Sequence, residues 1–268
     1  PNVSGESLVS QSGPIITDVI TNVSGGNEVV VYNITPTDNA NGCVGNVFTI
    51  STTVYSEPLA NNVTDNTCSY VALAHALQLD IVNGITSTFV WVAADNINVT
   101  GESIFAQNTS TITDVLNNIS SVQQTVVYTV TPTTDDANLC VGNQFTVSVT
   151  VDPEPVGVNA LASGCSDVAL NYSLQDNVVT LGNGVLSTYT WIAADNINVT
   201  GESITTQTGS TINDVITNTS SIDQLVVYTV VPTGLSIFGS CEGDAFTVTV
   251  TINPEPASIN VVDNTCSD

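Results

Sequence analysis

Trp191-Ile-Ala-Ala-Asp-Asn-Ile-Asn-Val-Thr-Gly-Glu-Ser203 repeats Trp91-Val-Ala-Ala-Asp-Asn-Ile-Asn-Val-Thr-Gly-Glu-Ser103 with a single substitution, at an offset of 100 residues. Working outward, Val126-Val-Tyr-Thr-Val-Thr-Pro132 recurs as Val226-Val-Tyr-Thr-Val-Val-Pro232, and Val31-Tyr-Asn-Ile-Thr-Pro36 is the same element one copy earlier. A Cys-x-Gly-x-x-Phe element follows each time, at Cys43, Cys140 and Cys241, and then a Glu-Pro at Glu57-Pro58, Glu154-Pro155 and Glu255-Pro256. A period near 100 is too long for a helical solenoid unit and suits a self-contained β-sandwich.

The phase of the repeat sets the expected organisation. Gly5-Glu6-Ser7 matches Gly101-Glu102-Ser103, and Asn264-Thr-Cys-Ser-Asp268 matches Asn66-Thr-Cys-Ser69. The chain therefore reads as the C-terminal part of one repeat (1–57), two complete repeats (58–154 and 155–255) and the start of another (256–268), with further repeats expected on both sides.

Within one repeat the alternation is that of strands with one buried face. In Phe246-Thr-Val-Thr-Val-Thr-Ile252 the apolar residues point one way and the threonines the other. Val226–Val231 is its expected partner. Tyr189, Trp191 and Ala193 alternate on a third strand, where a buried Trp is typical of immunoglobulin-like sandwiches. Val168, Leu170, Tyr172 and Leu174 predict a fourth, equivalent to Val71, Leu73, His75 and Leu77. Residues 110–119 are ambiguous: Ile112, Val115, Leu116 and Ile119 have helical spacing, while frequent Thr and Asn favour a strand. The strand reading is preferred. The fold class predicted is all-β: tandem immunoglobulin-like sandwiches arranged end to end, with Pro-Glu-Pro stiffening the short junctions.

Composition removes several classes of partner. The chain has no Lys or Arg and a formal charge of −25. Nucleic-acid phosphates and anionic membrane surfaces both require basic side chains, so neither is an expected partner. A phosphate-cradling Gly-rich loop fails for want of Lys, and a Lys–Asn isopeptide crosslink is impossible. No run of residues approaches the roughly 18 apolar residues of a membrane-spanning helix.

Candidate chemistry is sparse. His75 is the one histidine, so a Ser-His-Asp triad would have to use it. Its counterpart is Tyr172, and it reads as a tolerated strand residue. Glu102, Glu202, Asp95 and Asp195 recur from copy to copy, as residues serving a repeat do, so no catalytic role is assigned and the protein is not expected to be an enzyme. No cofactor is expected. The weak candidates for a metal are calcium ligands at Asp95, Asn98, Asp195 and Asn198, whose oxygens suit a hard cation but match no complete loop. Asp-Asn is also ordinary turn chemistry.

Six cysteines without a Cys-x-x-Cys pair imply disulfides and an oxidising compartment. Two connectivities compete. One bridges each repeat internally, Cys68–Cys140 and Cys165–Cys241. The other crosses each junction, Cys43–Cys68, Cys140–Cys165 and Cys241–Cys266. The first fails if the two cysteines of a repeat lie at opposite poles of the sandwich.

The run Trp-x-Ala-Ala-Asp-Asn-x-Asn-Val-Thr-Gly-Glu-Ser, followed by Val-Val-Tyr-Thr-Val-x-Pro-Thr, Cys-x-Gly-x-x-Phe and Pro-Glu-Pro, resembles the PKD-like repeats of giant cell-surface adhesins of Bacteroidota, the gliding-motility adhesins among them. The resemblance covers the whole chain. It implies export by the type IX system, a cell-surface filament, and adhesion moved by the gliding machinery. On that reading the chain is an extracellular stalk segment. Its partners are neighbouring repeats of the same chain, and a glycan or external surface is reached through other parts of the parent protein. The alternative is a module whose own loops grip a glycan or surface, which calls for exposed loop aromatics such as Phe105 and Phe238.

Overall fold

A computed structural model describes residues 2–22, 24–256 and 262–263. The chain separates into two compact units. One takes Pro1–Thr67, Val71–Leu116 and Thr125–Thr150; the other takes Cys68–Tyr70, Asn117–Gln124 and Val151–Asp268. The expected further repeat falls mostly outside the described residues, at 257–261 and 264–268, and Cys266 with it.

The second unit contains a five-stranded sheet in the order Ala160–Cys165, Phe246–Asn253, Gln224–Gly234, Ser187–Ala193 and Gln207–Thr208. Its centre follows the sequence pattern. Phe246–Asn253 buries alternate residues, and Val226, Tyr228 and Val230 on the neighbouring strand are buried on the same side. Register sets Tyr228 opposite Val248 and Trp191 opposite Val230. Two-residue ladders supply the rest of the repeat: Tyr172–Ser173 pairs with Thr211–Ile212, and Val199–Thr200 with Thr217–Asn218. Their Val199, Ile212 and Ile216 join the same core as Trp191 and Phe246. Burying each such side chain contributes roughly 1.5–3 kcal/mol.

The repeat before it has a four-stranded sheet in the order Val63–Cys68, Phe145–Asp152, Gln124–Thr134 and Ser87–Ala93. Residues before the first Glu-Pro add a two-stranded ladder, Glu28–Ile34 with Phe48–Val54. The architecture is thus all-β and immunoglobulin-like, in tandem.

Two local readings change, and the strand preferred for residues 110–119 holds as two short pieces. Residues 168–174 do not form one alternating strand. Asp167 and Asn171 adopt positive φ, which interrupts the extended backbone. Only Tyr172–Ser173 remains strand, and Leu174 leads into a short helix, Gln175–Val179. Val168 is exposed. Residues 110–119 are not helical: Thr111–Ile112 and Asn117–Asn118 are short strands that bury Ile112 and Leu116. The strand Ala160–Cys165, absent from the sequence reading, runs parallel to Phe246–Asn253, with Cys165 opposite Asn253.

Candidate functional site

The residues that define the repeat converge on one polar cluster at the core. Tyr228 is fully buried and packs edge-on against Trp191, with ring centroids 5.7 Å apart. Its hydroxyl donates to Asp214 Oδ2 at 2.9 Å. Asp214 also accepts from the backbone N–H and the hydroxyl of Ser203, each at 2.8 Å. Tyr128, Trp91, Asp114 and Ser103 repeat this arrangement, as do Tyr32, Asp18 and Ser7 without the tryptophan. Burial, reinforced by the adjacent carboxylate, pushes the Tyr128 and Tyr228 hydroxyls well above the usual tyrosine range. Glu202 and Glu102 each accept the backbone N–H of Asn196 or Asn96 at 3.2 Å. Asp114, Asp214, Glu102 and Glu202 are therefore engaged in holding their repeats together.

A second cluster centres on a buried asparagine. Asn218 Nδ2 donates to the carbonyls of Ile222 and Ile252, both at 2.8 Å. Asn118 reaches Val122 and Val151, and Asn22 reaches Gly26 and Val54. These amides satisfy carbonyls that burial would otherwise leave costly.

The junctions carry a third recurring device, missed in the sequence although Asn83-Gly84 and Asn183-Gly184 are also 100 residues apart. Asn183 Nδ2 donates to the Glu154 carbonyl at 2.7 Å, and its Oδ1 accepts the Val156 N–H at 3.0 Å. Asn83 does the same for Glu57 and Leu59. The glycine of Cys-x-Gly has its reason here as well: a Cβ at Gly243 would lie 2.0 Å from the Pro155 carbonyl oxygen.

The calcium candidates sit on exposed turns. Asp95, Asn98, Asp195 and Asn198 are all exposed. The turn is closed by the N–H of Asn98 or Asn198 donating to the side chain of Asn96 or Asn196 at 3.0 Å, a side-chain turn of the kind Asn favours. Among the described residues, no three His, Cys, Asp or Glu side chains are grouped to hold a metal.

His75 has acquired partners that Tyr172 lacks. Its Nδ1 lies 2.8 Å from Asp65 Oδ2 and its Nε2 3.0 Å from Asp80 Oδ2. Burial draws its pKa down, but the hydrogen bonds to Asp80 and Asp65 and their charges outweigh it, and the net shift is upward. With both ring nitrogens held by carboxylates, neither is presented to a nucleophile. The equivalent positions of the next repeat are Ala162, Tyr172 and Asn177, where the Tyr172 hydroxyl donates to Asn177 at 3.0 Å. A shallow hollow lined by Ala162, Leu170, Tyr172 and Asp176 lies there.

Both cysteine connectivities expected from the sequence are overturned. Cys68 is bridged to Cys241, 173 residues away, with Cα atoms 5.7 Å apart, and Cys43, Cys140 and Cys165 are unbridged. Polarity is the reason the internal pairing fails. Cys165 lies beside Asn253 at the end of strand Phe246–Asn253, whereas Cys241 precedes its start. A strand of that length spans roughly 25 Å, and a disulfide needs Cα atoms within about 7 Å. The junction pairings 43–68 and 241–266 are excluded because Cys68 and Cys241 hold each other.

Fold and clusters together define a tandem array of immunoglobulin-like sandwiches whose signature residues build the sandwich itself. The chain belongs to the PKD-like domain family, whose model matches residues 1–58, 65–155 and 162–256. A search of curated proteins found no match. Among solved structures, mouse protocadherin-24 EC1-3 is similar at 12% identity, covering 85% of this chain and 80% of that one, with a TM-score of 0.28. Drosophila N-cadherin EC1-4 matches at 9% identity over 91% and 70%, with a TM-score of 0.30. Chicken CNTN1 FN1-FN3 matches at 10% over 84% and 76%, with a TM-score of 0.33. At such scores the likeness says nothing about function.

Proposed function

We propose that this chain is a stalk segment of a large secreted cell-surface adhesin filament, serving gliding motility or surface attachment, without catalysis. Family membership supports an adhesion-type repeat. The observation that carries the reading is the use of the recurring residues: Glu102, Ser103, Asp114, Asn118 and Tyr128, and Glu202, Ser203, Asp214, Asn218 and Tyr228 one period on, are engaged inside their own repeats. Their recurrence is explained by architecture alone. The disulfide fits an oxidising, extracellular location. No helix among the described residues is long and apolar enough to cross a membrane. Export by the type IX system and movement by gliding machinery come with the resemblance to Bacteroidota adhesins. Small-angle scattering of the purified chain tests the reading. An elongated particle is expected; a compact globule contradicts it.

One observation favours the second reading, in which the loops contact a glycan or surface. Ile97 and Ile197 recur at the tip of the same turn and are 88% and 94% exposed, and Phe105 is 78% exposed. If these tips bind, Ile97→Asp with Ile197→Asp will abolish retention on the adherent surface and leave the melting temperature unchanged. The stalk reading expects no retention in the parent chain either.

A further inference from the structure

The Cys68–Cys241 bridge joins the first strand of one repeat to the Cys-x-Gly loop of the following repeat. Both of its halves have copies elsewhere in the chain, held by the same backbone bonds. In the first-strand half, the residue after the cysteine donates to the end of the last strand: Ser69 N–H to the Asp152 carbonyl at 3.0 Å, and Ser166 N–H to the Asn253 carbonyl at 2.9 Å. Cys165 is thus presented as Cys68 is, and it is exposed and unbridged. In the loop half, the cysteine carbonyl accepts from Gly234 at Cys241, from Thr134 at Cys140 and from Asp38 at Cys43, at 2.8, 2.9 and 2.9 Å. The glycine two residues on donates to the Pro carbonyl at Pro232, Pro132 and Pro36 in the same order. Cys140 and Cys43 therefore hold the geometry of Cys241 without its partner.

We propose that Cys165, Cys140 and Cys43 are open halves of the same inter-repeat bridge, and that each takes another repeat of this type as its covalent partner. Cys165 takes the Cys-x-Gly cysteine of a following repeat. Cys140 and Cys43 take the first-strand cysteine of a preceding repeat. This inference does not depend on the stalk reading, because a ligand-binding array would be tied in the same way. The co-reactant is a low-molecular-weight disulfide. One cysteine thiolate attacks it, forming a mixed disulfide and releasing one small thiol. The second cysteine thiolate attacks the protein sulfur of the mixed disulfide and releases the other. One S–S bond forms as one breaks, the two cysteines are oxidised as the small disulfide is reduced to two thiols, and the two cysteine protons end on those thiols.

The test extends the chain after residue 255 with a second copy of residues 155–255. Both the parent and the extended chain are oxidised with glutathione disulfide in the presence of excess glutathione, which returns unpartnered mixed disulfides to thiols, then alkylated under denaturing conditions without reductant, and cut by a protease specific for acidic residues, since the chain lacks Lys and Arg. In the parent, Cys68–Cys241 is expected as the bridge, with Cys43, Cys140 and Cys165 alkylated. In the extended chain, loss of Cys165 alkylation is expected, together with a new peptide pair joining Cys165 to the Cys-x-Gly cysteine of the added copy. Continued alkylation of Cys165 while Cys68–Cys241 forms would overturn the proposal. Failure of Cys68–Cys241 to form would remove its basis and overturn it too. Misfolding of the added copy is controlled by Cys165→Ser in the extended chain, where the added loop cysteine must become alkylatable. A bridge from it to any other cysteine counts against the proposal.

Discussion

The hydroxyl of Tyr228 donates to Asp214 from within the core, and Tyr128 does the same to Asp114. A hydrogen bond to a charged group contributes about 1.5–3 kcal/mol, so Tyr228→Phe is expected to destabilise the third repeat by that order in denaturant unfolding. Asn218→Ala leaves the buried Ile252 carbonyl without its donor and is expected to cost about 1–3 kcal/mol. His75 behaves differently because it titrates. Its pKa in the fold lies above its ordinary 6.5, raised by Asp80 and Asp65 against the opposing effect of burial. Its contribution to stability is therefore complete below pH 6.5 and is lost as pH rises through the folded pKa. The stability gap between the parent and His75→Gln is expected to be widest below pH 6.5 and to close toward alkaline pH. A gap independent of pH would remove the ion pairs from the account.

At the scale of elements, legibility followed the clarity of the pattern. Phe246–Asn253 alternates so regularly that its buried face could be read directly, and Trp191 marked the strand two places along the same sheet. The first strand, Ala160-Leu-Ala-Ser-Gly-Cys165, has small or polar residues apart from the exposed Leu161 and no buried residue, so no periodicity announces it. Residues 168–174 alternate in sequence yet break in space because positive φ at Asp167 and Asn171 redirects the chain. The cysteine pairing was illegible for a related reason: it depends on the parallel direction of the unrecognised first strand, which puts Cys165 and Cys241 at opposite ends of one sheet. Of the site, the recurring residues were visible but their partners were not, since Tyr228, Asp214 and Ser203 meet only through the fold. Two predictions belong here. Gly243→Ala drives a Cβ into the Pro155 carbonyl and is expected to destabilise by about 1–3 kcal/mol, as overpacking does. The Asp95–Asn98 and Asp195–Asn198 turns are closed by their own asparagines. A chelator is therefore expected to leave the melting temperature unchanged, and a fall on chelation would restore calcium to these turns.

For the whole molecule, the bridge from Cys68 to Cys241 encloses 173 residues of sequence separation. In the chain-entropy description, closing a loop of that size contributes on the order of 5 kcal/mol. Reduction is accordingly expected to lower the melting temperature, and an unchanged value would count against the bridge. On the proposed stalk reading the bridge gives more than stability, because tension on the ends cannot draw out the enclosed residues until it opens. Pulling single molecules by their termini tests this most directly. In oxidising buffer the fully extended length is expected to fall short of that in reductant by about 600 Å, at about 3.5 Å for each of the 173 residues enclosed. Equal lengths in the two buffers would contradict a bridged array.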